Sequence, residues 1–310
     1  MMDDRGHLVT EQANPASAQL DTLSIAEFVA LCQQEDLKAV QAVIAQQASI
    51  EQAIARIAEK LASGGRLFYV GAGTSGRLGV LDSAECPPTF CTDPDLVQAI
   101  LAGGLSAMVK SSEALEDSWQ DGAQSIHQRG ITAQDVALGI TAGGTTPFVH
   151  GALHTAQTLG AVTIFLTCVP PEQVPSTYDL DIRPIVGPEI LAGSTRLKAG
   201  TATKLVLNTI STGVMVQLGK VYGNRMVDVA VTNRKLLDRA LRILTDLTGC
   251  DRATALKVLG EADNHTKTAL FMLWTGADKA TAVQKLREAK GNLRQALAGW
   301  PLHGSSAQNV

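Results

Sequence analysis

Between residues 66 and 186 the chain switches repeatedly between two hydrophobic periods, and this limits the folds open to it more than any other feature. Short apolar runs at 66–70, 97–102, 136–141, 161–168 and 181–186 have strand length and are rich in branched residues. Helical stretches lie between them at 76–82, 105–128 and 147–159, the last two closed by Gly130 and Gly160 at C-terminal capping positions. Strands joined in this way imply right-handed βαβ units and a mostly parallel sheet. Ligands of such sheets bind beyond the carboxyl ends of the strands. Four loops are thereby selected: 71–77, 103–106, 142–147 and 187–198.

The first of these is the richest in chemistry. The run Leu67-Phe68-Tyr69-Val70 passes directly into Gly71-Ala72-Gly73-Thr74-Ser75-Gly76-Arg77. Glycine lets the backbone approach a ligand closely, and the amides opening the next helix point at anions. Thr74 and Ser75 add neutral donors and Arg77 a cation. The spacing fits neither the dinucleotide fingerprint nor the P-loop. The next strand also ends in Ala102-Gly103-Gly104, without the acidic residue a dinucleotide site needs. A phosphate cradle followed by a carboxylate suits chemistry on a phosphorylated small molecule, with a purely structural glycine turn as the alternative. Loop 142–147 offers Gly144, Thr145 and Thr146, and loop 187–198 offers Ser194, Thr195, Arg196 and Lys198.

The flanks are helical. Residues 1–22 lack periodicity and read as an extended arm. Ser24 with Glu27 forms a capping box that opens a helix to about Gln34. A longer helix follows from roughly 37 to 62, stopped by Gly64-Gly65. Helices are expected over about 198–218 and 231–248, and three short ones over 250–300. The expected organisation is a sheet-containing domain over 1–249, a small all-helical module over 250–300 and a tail over 301–310.

Composition narrows the function classes. Hydrophobic residues make up 45% of 310, enough for a sizeable core, and aromatics only 4%, so that core is aliphatic. A net charge of −4 with mixed signs gives no footprint for nucleic acid or an anionic membrane. Five cysteines without CxxC spacing suit a reducing cytosol and argue against a disulfide framework or zinc site. The polar N-terminus is unlike a signal peptide, and no apolar run approaches the roughly 18–20 residues of a membrane span. The expectation is a cytoplasmic protein with a small-molecule substrate. The six histidines are scattered and assemble no metal-ligand set, and no GxSxG elbow supports a serine triad. Among carboxylates, Glu85 follows the glycine loop and precedes the rigid Pro87-Pro88. Glu113 and Glu116, three apart, fall on one face of the expected 105–128 helix. Two carboxylates whose surroundings split their pKa values can serve as general acid and base.

The blocks GAGTSGRLGVLDSAECPPTF, ALEDS, GSTRLKAGTATKLVLNTISTG and GKVYGNRMVDV resemble the N-acetylmuramic acid 6-phosphate etherase family of the sugar isomerase (SIS) superfamily. The resemblance runs from about Leu8 to the C-terminal helices. It implies an α/β, flavodoxin-like three-layer sandwich around a parallel sheet, with a small helical C-terminal module. It also implies a homodimer. The reaction implied is cleavage of a lactyl ether, giving N-acetylglucosamine 6-phosphate and D-lactate in the recycling of wall sugar. Glu85 of AECPPT takes the place of the family's acid, and Glu116 of ALEDS that of its base. Substrate contacts are expected from Gly73, Thr74, Ser75, Gly76, Arg77, Gly144, Thr145, Thr146, Ser194, Thr195 and Lys198. No cofactor is implied, because the carbonyl of the open-chain sugar is itself the electron sink.

One block departs from the family. Its usual AASGRTPY is here Thr141-Ala142-Gly143-Gly144-Thr145-Thr146-Pro147-Phe148, without the serine and the arginine. A charge-assisted contact is worth roughly 1.5–3 kcal/mol, and Thr145 and Thr146 are the residues placed to compensate. This loop favours one alternative, a non-catalytic sugar phosphate sensor. Such sensors carry a second SIS domain, which this chain lacks, and retention of both glutamates argues for catalysis. An aldose–ketose isomerase would leave AECPPT unexplained.

Overall fold

The computed structural model describes residues 5–110, 115–229, 231 and 233–300. By its internal contacts the chain divides into two units, Met1–Ala84 with Asp95–Ser211, and Glu85–Pro94 with Thr212–Val310. The helices are α1 (Ile25–Ile44), α2 (Gln47–Ala62), α3 (Gly73–Phe90), α4 (Trp119–Gln128), α5 (Pro147–Thr158), α6 (Lys198–Gln217), α7 (Arg234–Thr248), α8 (Arg252–Glu261), α9 (Thr266–Thr275), α10 (Lys279–Glu288) and α11 (Leu293–Leu297).

In the first unit β1 (Leu67–Gly71), β2 (Val97–Leu101), β3 (Val136–Ile140), β4 (Val162–Leu166) and β5 (Leu180–Ile182) form one parallel sheet, in the order β2-β1-β3-β4-β5. The register aligns the strand ends. Gly71 lies opposite Leu101 and Ile140, Ile140 opposite Leu166, and Leu166 opposite Ile182. The loops leaving these strands therefore emerge side by side along one edge. The sheet has helices on both faces, which is why its strands read as nearly unbroken apolar runs. Phe68, Val70 and Phe165 pack on Ile126 of α4 and on Val149 and Leu153 of α5. Tyr69 points the other way, under Gly79 of α3, where a Cβ would come within 2.9 Å of the tyrosine Cβ. Its hydroxyl donates to Asp82, which also accepts from Ser211 of α6. Burial pushes the Asp82 carboxyl up, against the lowering effect of those two donors.

Several elements differ from the sequence expectation. The capping box of Ser24 and Glu27 is present, but its helix continues to Ile44 and the break falls at Ala45-Gln46. Glu35, in the expected break, is instead buried in the helix. The 76–82 helix begins at Gly73 and runs to Phe90, through Pro87 and Pro88. Both prolines sit in the last turn, and each removes the ladder bond its amide would have given to the carbonyl four residues back, at Ser83 and Ala84. The expected 105–128 helix is not continuous. It is a 3-10 turn over Gly104–Met108 and then α4, capped by Ser118, and Glu113 lies outside the described residues.

The second unit has its own core. Leu236 and Leu244 of α7 share it with Leu259, Phe271, Trp274 and Leu297 from the helices that follow. The boundary expected after residue 249 therefore falls inside this core, where Gly249 is the left-handed cap of α7. A two-strand hairpin, β6 (Val221–Tyr222) and β7 (Arg225–Met226), turns through Gly223-Asn224. That dipeptide is a hairpin signal that the helix-dominated reading passed over.

Two glycines let α4 and α5 touch backbone to backbone. A Cβ at Gly122 would lie 2.0 Å from the Phe148 carbonyl oxygen, and one at Gly151 would lie 2.1 Å from that of Trp119. Gly122→Ala is expected to cost about 2 kcal/mol, as overpacking does. Gly260→Ala, on α8 with nothing within 4 Å, is expected to gain a few tenths or more from helix propensity. Urea denaturation of the two variants checks the opposite signs.

Candidate active site

At the carboxyl edge of the sheet, the first unit has an open cavity of about 430 Å³. One wall is the first turn of α3, with Gly73, Thr74, Ser75 and Arg77. The amides of a first helical turn have no partner four residues back and face outward with the positive end of the helix dipole. Gly73 adopts φ +53 to enter the helix. Gly71 and Gly76 let the strand end and the helix start meet, since a Cβ on Gly76 would lie 2.5 Å from the Gly71 carbonyl oxygen. Arg77 donates from Nε to the Ala107 carbonyl at 2.9 Å.

A second wall is the loop after β3, contributing Thr141, Gly143, Thr145 and Thr146. The hydroxyls of Thr141 and Thr146 hydrogen-bond to each other at 2.8 Å. His150 Nε2 lies 2.7 Å from the Gly144 carbonyl and must donate to it, so the Tyr178 hydroxyl at 2.8 Å faces Nδ1. Gly144 itself is structural: φ is +74, and a Cβ would crowd Val169 and Thr167 at 2.9 and 3.0 Å.

Glu116 completes the set. It sits in the turn before α4, half-buried, lining the cavity. Its backbone carbonyl accepts from the amide of Phe148, 3.0 Å away, which ties the base candidate to the start of α5 just after the threonine loop.

The third wall combines Gly193, Thr195 and Gly200 with the N-terminal arm, through Arg5 and Glu11. A buried carboxylate holds these parts in place. Glu35 Oε2 accepts from Lys198 Nζ at 2.5 Å and from Asn14 Nδ2 at 2.9 Å, while Oε1 accepts from Lys38. Asn14 also donates to the Pro188 carbonyl. The fully buried Glu189 accepts the amides of Lys198 and Ala199 at 2.9 and 3.0 Å, capping α6. Burial pushes the Glu189 carboxyl up despite those amides.

Comparison with known proteins agrees with this architecture. The family model for the glucokinase regulatory protein N-terminal SIS domain matches residues 49–157, and that for the C-terminal lid domain of the same protein matches 223–269. An N-acetylmuramic acid 6-phosphate etherase of Thermosynechococcus vestitus is 64% identical over 88% of this chain and 89% of its own. Etherases of a Nostoc species and of Trichormus variabilis are 62% and 61% identical, over 96% and 98% of this chain and 97% and 99% of theirs. The chain belongs to the N-acetylmuramic acid 6-phosphate etherase family.

Within this etherase-family cavity the structure brings together Gly73, Thr74, Ser75, Arg77, Glu116, Thr145, Thr146 and Thr195. Gly76 and Gly144 stand behind it as packing glycines. Ser194 is half-buried outside the lining. Lys198 does not face the cavity: only 2% exposed, it is spent on Glu35. Arg196 is exposed and lines a separate hollow beside Cys32 and Asp36. Glu85 is exposed on α3, ten residues beyond Ser75, a rise of roughly 15 Å along the helix. Arg5 and Glu11 are the residues that sequence reasoning missed. The arm holding them has no periodicity, and its position comes from Asn14 and from bonds of Val9 and His7 to Gln173. No group of three or more potential metal ligands occurs among the described residues, and no helix there is long and apolar enough to cross a membrane.

Glu35 gives this framework a pH signature. Burial alone would raise its carboxyl, but the hydrogen bonds from Lys198, Lys38 and Asn14 prevail and hold it at about 2, against 4.5 in an exposed chain. A group lowered in the folded state stabilises above its unfolded value and loses that contribution as pH falls toward the folded one. The wild type is expected to lose on the order of 3 kcal/mol between about pH 4.5 and 2 through this group. Glu35→Gln, weaker at neutral pH, should show a flatter stability profile across that window in denaturant titrations. Lys198→Met, which strands the buried carboxylate, should cost about 3–5 kcal/mol at neutral pH.

Proposed function

We propose that this protein cleaves the D-lactyl ether of N-acetylmuramic acid 6-phosphate, as a carbon–oxygen lyase, releasing N-acetylglucosamine 6-phosphate and D-lactate in the recycling of cell-wall amino sugar. The observation that carries this is the 64% identity with a named etherase over 88% of the chain. The cavity supports it, because a helix start suited to anions and a carboxylate line the same hollow. The phosphate is placed against the first turn of α3, where amides, Thr74 and Ser75 supply donors. Thr145, Thr146 and Thr195 add neutral donors around the sugar.

The open-chain sugar has an aldehyde at C1 that acidifies the proton on C2. Glu116 is proposed as the base that takes this proton, and the electron pair delocalises into the carbonyl. As the C3–O bond breaks, Glu85 is proposed to protonate the leaving ether oxygen, and D-lactate departs. Water then adds to C3 of the resulting unsaturated aldehyde, C2 is reprotonated, and the product is complete. The substrate's own carbonyl accepts the charge, so the proposed steps call on no metal or organic cofactor. A homodimer in the cytoplasm is the proposed working state.

Release of D-lactate from N-acetylmuramic acid 6-phosphate by wild type, Glu116→Gln and Glu85→Gln tests the assignment. Lactate is expected from the wild type, with activity abolished in Glu116→Gln and slowed by roughly 10²–10⁴-fold in Glu85→Gln, the range of general acid catalysis. A folded wild type that binds sugar phosphates and releases no lactate would overturn it in favour of a sensor.

A further inference from the structure

The substrate proposed above carries two anions, a phosphate on C6 and a carboxylate on the lactyl group beyond C3. The cavity has two kinds of anion site to offer them. The start of α3, with its amides and hydroxyls, suits the tetrahedral phosphate. Arg77 belongs to the same turn and already gives Nε to the Ala107 carbonyl. The loop over 141–148 contributes threonines and no cation. The other cation on the lining is Arg5, outside the α3 turn, on the wall shared with Gly193 and Thr195. We propose that Arg5 is a specificity-determining residue that binds the lactyl carboxylate. The inference rests on the etherase reading and adds to it the group that distinguishes substrate from product.

Three observations support it. Arg5 forms no ion pair among the described residues, so its guanidinium is uncommitted to a protein carboxylate. A guanidinium is the side chain best matched to a planar carboxylate, through two parallel hydrogen bonds. Its backbone is also anchored. The Leu8 amide donates to the Arg5 carbonyl at 3.0 Å, and the Val9 amide donates to Gln173 Oε1 at 3.0 Å. Gln173 Nε2 in turn donates to the His7 carbonyl at 3.0 Å. Leu8 and Thr10 are 1% and 0% exposed, so the turn bearing Arg5 is fastened to the body of the unit. Arg5 itself is exposed, which places the expected effect at the lower end of charge-assisted contacts.

The test compares a ligand that has the carboxylate with one that lacks it. Kinetics of lactate release are measured for wild type, Arg5→Ala and Arg5→Lys, with N-acetylglucosamine 6-phosphate as competitive inhibitor. Arg5→Ala is expected to raise KM for N-acetylmuramic acid 6-phosphate roughly tenfold, and to leave the inhibition constant of N-acetylglucosamine 6-phosphate within about twofold. Arg5→Lys should recover part of the loss, as a charge without the planar fork. Equal weakening of both ligands would overturn the proposal, assigning Arg5 to the phosphate or to the fold. No change in either would overturn it as well. Failure of the etherase reading shows itself separately, as absence of lactate from the wild type. Titration calorimetry with the same two sugars then decides the role of Arg5, by the same selective loss.

Discussion

The site depends on one buried carboxylate. Glu35, on α1, is held simultaneously by the ammonium of Lys198 at the head of α6, by Lys38 one turn along its own helix, and by the amide of Asn14 in the N-terminal arm. Three segments far apart in sequence are thereby fixed to one point. Two of them build a cavity wall: the arm brings Arg5 and Glu11, and the segment preceding α6 brings Gly193 and Thr195. A buried ion pair of this kind contributes little net stability when intact, and breaking it leaves an uncompensated charge. Its value here is positional. Asn14 bridges Glu35 to the Pro188 carbonyl, and Glu189 beside it caps α6, so the 188–199 segment is clamped at both ends.

The parallel sheet supplies the other half of the design. Because the ends of β1 to β5 lie in register, three loops with quite different side chains open onto one edge. The resulting charge pattern is mixed: Arg5 and Arg77 against Glu11 and Glu116 on a lining otherwise rich in threonine and glycine. A purely cationic pocket would bind phosphate and could not take a proton from carbon. Carboxylates on the lining are groups able to take up a proton, and a helix start can attract an anion without adding full positive charges beside them.

Sequence reasoning about this chain succeeded where chemistry is local. The glycine-rich turn, the hydroxyl pairs at Thr74-Ser75 and Thr145-Thr146, and the Ser24–Glu27 capping box are each contained within a few residues; the structure puts the turn and the hydroxyl pairs on the cavity lining and the capping box at the start of α1. It succeeded less where the outcome depended on distant partners. Lys198 looks like a phosphate ligand until Glu35 is found against it. Glu116 was expected on a helix face, and sits instead in a turn whose carbonyl is tied to Phe148. The arm over 5–14 carries no periodic signal, since its order comes from Gln173 and Pro188, more than 160 residues away.

By itself, then, the sequence determined the alternation of strands and helices, the parallel sheet and the glycine loop that opens α3. Each of these follows from hydrophobic period and from the backbone freedom of glycine, properties written within short windows. Only the tertiary structure decided which charged residues face the cavity. A lysine or glutamate is stable in solvent, against a ligand or in a buried pair, and the choice is set by the partners the fold delivers. Glu35 claims Lys198, and the anchored arm brings Arg5 to the cavity wall. Neither outcome could be read from the residues alone, because the partners meet only when the sheet and its helices close around them.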